Sequence, residues 1–154
     1  MIPYADSNFF TRLYLPAPEE SLANGLIEEA ERQGAPPLPV TFLLRVEVFN
    51  AFELHVFTGK AAGQRWVTSE LAAIAHASFR EDLGNDGFVR LIDLPTEDLE
   101  RAFIEISLRN SARFGFRTYD VLHVASALLL GCDTFWSFDA KAKKLASLEG
   151  LKVR

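Results

Sequence analysis

The sequence predicts an α/β fold in which a mainly parallel sheet is covered by helices on both faces. Three observations predict it. Short apolar runs of strand length alternate with longer segments of helical periodicity along the chain, the pattern of parallel strands joined by crossover helices. The segment from Thr118 to Leu130 is a nearly all-apolar helix, which belongs where it is buried on most sides. The composition is that of an ordinary globular chain: of 154 residues, 49% are hydrophobic and 24% charged, with 13 Phe to build an aromatic core. That length suits one domain, expected over residues 1–154.

The elements follow in order. Ile2 to Ala5 is a short apolar run, a first strand ending at Asp6. Ser7 to Leu15 has helical spacing and is broken by Pro16 and Pro18. Glu19 to Gln33 reads as an amphipathic helix closed by Gly34, after which Pro36, Pro37 and Pro39 lead through Leu38 and Val40 into Thr41, a short strand entering a helix from Phe42 to Phe57. Another helix runs from about Gly63 to Leu83 and stops in the turn Gly84-Asn85-Asp86-Gly87. Its neighbourhood supplies Trp66, Val67, Leu71, Ile74 and Phe79 as packing or interface residues. Phe88 to Leu94 alternates apolar and polar residues as a strand does. Pro95 opens a helix to Arg113, with Thr96 and Glu97 in an acidic first turn. The buried helix ends at Gly131, Thr134 to Phe138 is a short aromatic strand, Asp139 to Leu148 is a helix closed by Gly150, and Lys152-Val153 is a last edge strand.

Composition excludes several functions. A single cysteine, Cys132, forbids an internal disulfide and fits a reducing compartment, the cytoplasm. With only three His beside it, a cysteine-rich zinc site is excluded too. The longest apolar stretch, Val121 to Cys132, holds His123 and at about 12 residues is too short to span a bilayer, so no membrane partner is expected. The start, Met1 to Asp6, lacks the basic and apolar regions of a signal peptide. A net charge of −5 argues against gripping nucleic acid by bulk electrostatics, though not against an enzyme whose carboxylates are neutralised by cations. The basic residues are 11 Arg to 5 Lys, and Arg suits bidentate phosphate contact.

In parallel α/β sheets ligands bind beyond the carboxyl ends of the strands. Three aspartates fall there: Asp6 ends the first strand, Asp139 ends the aromatic strand, and Asp120 lies in the first turn of the buried helix. Each alone also reads as a helix cap. Glu47 is harder to dismiss. On a helical wheel of its segment, Thr41, Arg45 and His55 share one polar side, while Glu47 points away from Arg45 among Leu43, Ala51 and Leu54. A carboxylate there requires either a buried Arg or backbone amides to pair with it, or a metal ion. Four acids converging at one sheet edge repel one another and raise each other's pKa. A divalent cation removes that repulsion, and all-oxygen ligands select Mg²⁺ or Mn²⁺ over zinc or copper. Such a site suits phosphodiester hydrolysis by metal-activated water, with no need of a His or Ser nucleophile.

These residues also carry a resemblance. The segments YADSNFFTRLYLP, LRVEVFNAF, TYDVLHVASALLLGC and FWSFDAKAKKLASLEGLKV resemble, in order and spacing, the signature of PIN domains, and most of all the VapC-type toxins of bacterial toxin–antitoxin pairs. The resemblance covers essentially the whole chain. It implies a three-layer α/β/α sandwich around a parallel sheet and a Mg²⁺- or Mn²⁺-dependent ribonuclease acting on RNA. It also implies a homodimer held inactive by a cognate antitoxin protein. Asp6, Glu47, Asp120 and Asp139 fall on the family's four acidic positions. Ser7 and Ser137 stand where PIN domains commonly carry Ser or Thr, expected to support a carboxylate or a water. Asn8 departs from the small hydroxyl residue many relatives have, with no loss of activity expected.

Other residues have two readings. His123, one helical turn beyond Asp120, is expected to be a packed histidine with one hydrogen bond. Asn50, three residues after Glu47, is expected to face the same cleft. Arg109, Arg113 and Arg117 recur every four residues before Asp120; with Lys141 they either line the cleft and bind RNA phosphates or form a solvated face, and Lys143 and Lys144 share that ambiguity. A haloacid-dehalogenase-type phosphatase needs a second Asp where Asn8 stands, and a receiver domain needs a phosphoacceptor Asp where a middle strand ends in Leu94. The rival from another class is a catalytically silent PIN-fold module that binds RNA or protein; the presence of all four acids argues against it.

Overall fold

The computed structural model of the chain describes residues 1–17, 19–61, 67–85 and 87–154. Along these run β1 (Pro3–Ala5), α1 (Ser7–Tyr14), α2 (Glu20–Arg32), β2 (Leu38–Val40), α3 (Phe42–Ala61), α4 (Ser69–Gly84), β3 (Val89–Leu91), α5 (Thr96–Phe114), α6 (Thr118–Leu129), β4 (Thr134–Trp136), α7 (Ala140–Leu148) and β5 (Lys152–Val153). Every pairing among the described strands is parallel. The helices pack as two groups, α1 to α4 and α5 to α7, with the strands as the middle layer of a three-layer α/β/α fold. Of the sequence expectations, the stop at Pro18, the helix start at Gly63, the packing residue Trp66 and the turn residue Asp86 lie outside the described residues.

The order of elements agrees with the sequence reading; the ends differ for local reasons. Helix α3 runs past Phe57 to Ala61, since no breaker stands there except Gly59, and one glycine costs a helix only about 1 kcal/mol. Helix α4 is capped by Thr68, whose hydroxyl accepts from the Leu71 amide at 3.3 Å. Strand β3 is shorter than Phe88 to Leu94 because its partner β2 offers three residues of ladder. Strand β4 stops at Trp136: the Phe138 amide turns to the Asn8 side chain and the Asp139 amide to the Ser137 hydroxyl. Between α5 and α6 the chain reverses at Gly115, whose φ of 65° is costly for any residue with a Cβ.

The sheet is a single layer in two hydrogen-bonded parts, β1-β4-β5 and β2-β3, which adjoin where β1 lies beside β2. Two prolines account for the break. The Asp6 amide donates to Trp136 and the Thr134 amide to Ile2, so even-numbered residues of β1 face β4. The Leu38 amide donates to Phe88 and the Ile92 amide to Val40, so Leu38 and Val40 face β3. Alternation then turns Pro3 and Pro39 toward the seam, where neither has an N–H to give.

Aromatic packing fixes α3 against the first strand's helix. Phe79 of α4, fully buried, meets Phe10 and Tyr14 of α1 and Phe49 and Phe52 of α3 with ring centroids 5.4–6.3 Å apart. Helix α6, with Val121, Val124, Ala125 and Ala127 buried, is as enclosed as its composition requires. No helix among the described residues is long and apolar enough to cross a membrane.

Candidate active site

Asp6, Glu47, Asp120 and Asp139 line one cleft with Ser7, Asn8, Arg117 and His123. It opens at the carboxyl end of β1 and β4. Asp6 follows β1 and caps α1, its Oδ1 accepting from the Phe9 amide at 2.9 Å. Asp139 caps α7, accepting from the amides of Lys141 and Ala142 at 2.7 and 3.2 Å. Asp120 sits in the first turn of α6 and accepts from the Arg117 amide at 3.1 Å. The capping reading therefore holds for all three aspartates, and the same three also face the cleft.

Glu47 enters from the side. Helix α3 buries Leu44, Val48, Phe52 and Val56, four residues apart, and Glu47 flanks that stripe with its side chain 23% exposed. The apolar face inferred from Leu43, Ala51 and Leu54 is not the core face: Leu54 is half exposed. Glu47, Ala51 and His55 instead run along the cleft wall at four-residue spacing, so His55 shares the side of Glu47. Among the described residues, the partner of Glu47 is neither an arginine nor a backbone amide. It is His123, whose Nε2 lies 2.5 Å from Glu47 Oε2. His123 thus makes two hydrogen bonds rather than the expected one, the second joining its Nδ1 to the Tyr4 hydroxyl at 2.9 Å.

The supporting residues divide. Ser7 lines the cleft. Ser137 is buried, accepts from the Asp139 amide at 2.9 Å and helps hold the charge of Asp6, so it couples two of the acids. Asn50 is exposed and lies off the cleft, because steps of three and four residues fall on opposite sides of Glu47 and the cleft wall takes the side of Ala51 and His55. Asn8, read from the sequence only as a departure, lines the cleft and accepts from the Phe138 amide at 3.1 Å, tying α1 to the loop that carries Ser137 and Asp139.

Of the cationic row, Arg117 alone lines the cleft. Arg109 is turned to Glu149, with its Nη2 at 2.6 Å. Arg113 lies over the Phe114 ring, and Lys141 donates to the Gly115 carbonyl at 3.0 Å. The reversal at Gly115 breaks the four-residue period, so Arg117 belongs to a different element from Arg109 and Arg113.

Burial pushes the Asp6 carboxyl up to about 6, with the Glu47 charge adding to the shift and His123, Ser137 and the Phe9 amide opposing it. Burial alone would lower His123; the bonded Glu47, with Asp6 and Asp120 beyond it, raises it instead. Tyr4 is held far above the usual phenol range by its burial and so keeps its proton.

The donor set is carboxylate oxygen, which suits a hard divalent cation such as Mg²⁺ or Mn²⁺. The convergence is looser than the sequence reading expected: among the described residues, no group of three or more His, Cys, Asp or Glu side chains stands close enough to hold an ion as placed. Each acid is held by a local donor, and like charges spread apart.

The family model described as the PIN domain matches residues 4–148. No curated protein matches the chain. Among solved structures the chain is similar to that of Mycobacterium tuberculosis VapC20, a toxin that cleaves the sarcin–ricin loop, with a TM-score of 0.62 and 17% identity over 99% of this chain and 98% of that one. It is likewise similar to PAE2754 of Pyrobaculum aerophilum, with a TM-score of 0.58 and 16% identity over 99% of this chain and 90% of that one.

Proposed function

The chain belongs to the PIN domain family, and from that premise we propose that it is a Mg²⁺- or Mn²⁺-dependent endoribonuclease, a single nuclease domain over residues 1–154 that serves as the toxin of a toxin–antitoxin pair. The observation that carries the reading is the cleft itself: four acids, two capping α1 and α7 and two standing on α3 and α6, line one opening in a chain of this family. Similarity to a toxin that cleaves the sarcin–ricin loop supports RNA as the substrate class.

Asp6, Glu47, Asp120 and Asp139 would hold the cation. When bound, it supplies a Lewis acid that polarises the phosphoryl oxygen and lowers the pKa of the attacking water. The chain does the rest by placement. Caps fix Asp6 and Asp139 at the helix ends, and Ser137 spans them. Asn8 holds the loop between, and Arg117 at the rim is placed to meet a phosphate oxygen.

Purified protein incubated with total cellular RNA and Mg²⁺ or Mn²⁺ should release fragments with defined ends. EDTA should stop the cleavage, and Asp120→Asn should lower it by orders of magnitude while RNA binding survives. Cleavage that persists in EDTA, or that Asp120→Asn leaves undiminished, would sink the metal mechanism; binding without cleavage would favour the silent module. The toxin assignment further expects a homodimer and a co-purifying small antitoxin that places a basic side chain among the acids. Harmless expression with no bound partner would remove it and leave the nuclease assignment standing.

A further inference from the structure

We propose that His123, seated on Tyr4, is a positioning residue that fixes Glu47 at the wall of the acidic cleft and so sets the geometry in which that carboxylate reaches a cation. The inference rests on the nuclease reading and adds to it a residue that none of the four acidic positions includes.

Three elements meet at one ring. Tyr4 comes from β1, His123 from α6 and Glu47 from α3, and the two contacts are 2.9 and 2.5 Å. His123 is 5% exposed on a helix whose other buried residues are apolar or small. A polar ring in such a place is costly unless its nitrogens are satisfied, and here both are. Bonded at both ends, the ring cannot turn, and the Glu47 oxygen bonded to it cannot wander. Glu47 is the acid that needs this most. The three aspartates are short side chains locked by backbone amides of their own helix ends. Glu47 is longer, lies past the first turn of α3 and receives no capping amide; its bond is to His123, through Oε2, and the residue lines the cleft. This is the arrangement in which a residue outside the ligand set orients a ligand, and loss of such residues typically weakens metal binding about 10- to 100-fold.

The test is Mn²⁺ binding to the purified full chain, measured by calorimetry beside thermal melting and RNA cleavage. His123→Leu should weaken Mn²⁺ binding about 10- to 100-fold, and His123→Gln, which keeps a donor amide, should recover most of it. In a Glu47→Gln background, His123→Leu should cost no further affinity, because the ring acts only through that carboxylate. Tyr4→Phe keeps the ring and its packing, and should weaken binding several-fold with a small change in melting temperature. Unchanged affinity in folded His123→Leu would overturn the inference, as would tighter binding, which would make His123 a competitor of the cation. Should His123→Leu fail to fold, Tyr4→Phe decides, and unchanged affinity there overturns it. A wild-type chain that neither binds Mn²⁺ nor cleaves RNA would bring down the nuclease reading and this inference with it; wild-type binding with indifferent variants removes the inference alone.

Discussion

Replacing Asn8 by Ala removes the acceptor of the Phe138 amide, a side-chain bond that ties α1 to the β4–α7 loop. Deleting one partner of a protein hydrogen bond and leaving the other unsatisfied costs about 1–3 kcal/mol. Asn8 and Phe138 are both half-buried, so water reaches the freed amide in part, and about 1–2 kcal/mol is the better figure. For a chain of this size each kcal/mol lowers the melting temperature by about 2–4 °C, so Asn8→Ala should melt about 2–8 °C lower in EDTA. The loop it releases carries Ser137 and Asp139, so Mn²⁺ affinity should fall as well. Asn8→Asp separates the two effects. It keeps the acceptor, but adds a negative charge beside the acids, so its metal-free form should be destabilised and its gain in melting temperature on adding Mn²⁺ should exceed the wild-type gain. Melting curves for the three proteins, with and without Mn²⁺, decide it. If Asn8→Ala melts with the wild type and binds Mn²⁺ equally, the Asn8 bond does not hold the loop.

Two further outcomes follow from buried groups. Asp6 has a folded-state pKa of about 6 against an ordinary 3.8, so the folded state binds more protons than the unfolded one between those values, and stability in EDTA should rise as pH falls from 7 toward 5, by about 1 kcal/mol of the about 3 kcal/mol that the full shift supplies below both values. His123, raised with Glu47 against it, acts in the same direction, while Asp133, held low, opposes only at more acid pH. Asp6→Asn should flatten the rise, and an unchanged slope in that variant would contradict the assignment. Cys132 is buried with its thiol pushed up to about 12, so iodoacetamide at pH 8 should label it fully in denaturant and hardly at all in the native chain; rapid native labelling would contradict its burial.

Periodicity carried the order of strands and helices, because apolar spacing is a local property. What it could not carry was pairing between distant residues. Pro3 and Pro39 are visible in the sequence, but the side on which each faces depends on which strands are neighbours. A helical wheel alone does not establish that Glu47 is enclosed, and nothing local shows that its partner is His123, 76 residues on. Asn8 looked like a lapse from the family pattern until its amide oxygen met a backbone group 130 residues away. The wheel for α3 failed in a related way: a wheel ranks faces by composition, and only packing shows that Leu44, Val48, Phe52 and Val56 are the inward one. Arg109 fitted an even row of arginines, yet Gly115 ends that row before Arg117.

The seam between β1 and β2 divides the acids unequally. Asp6 and Asp139 are rooted in the ladder of β1, β4 and β5, whereas Glu47 stands on the helix that leaves β2, in the other ladder. Among the described residues no strand hydrogen bond fixes the gap between these two halves; it is spanned by packed rings and by the run from Tyr4 through His123 to Glu47. Slip along the seam changes how far Glu47 stands from the aspartates and leaves both ladders whole. The bite of the acidic cleft is therefore set by side chains, and a single buried substitution at that joint can reset it without unfolding either half.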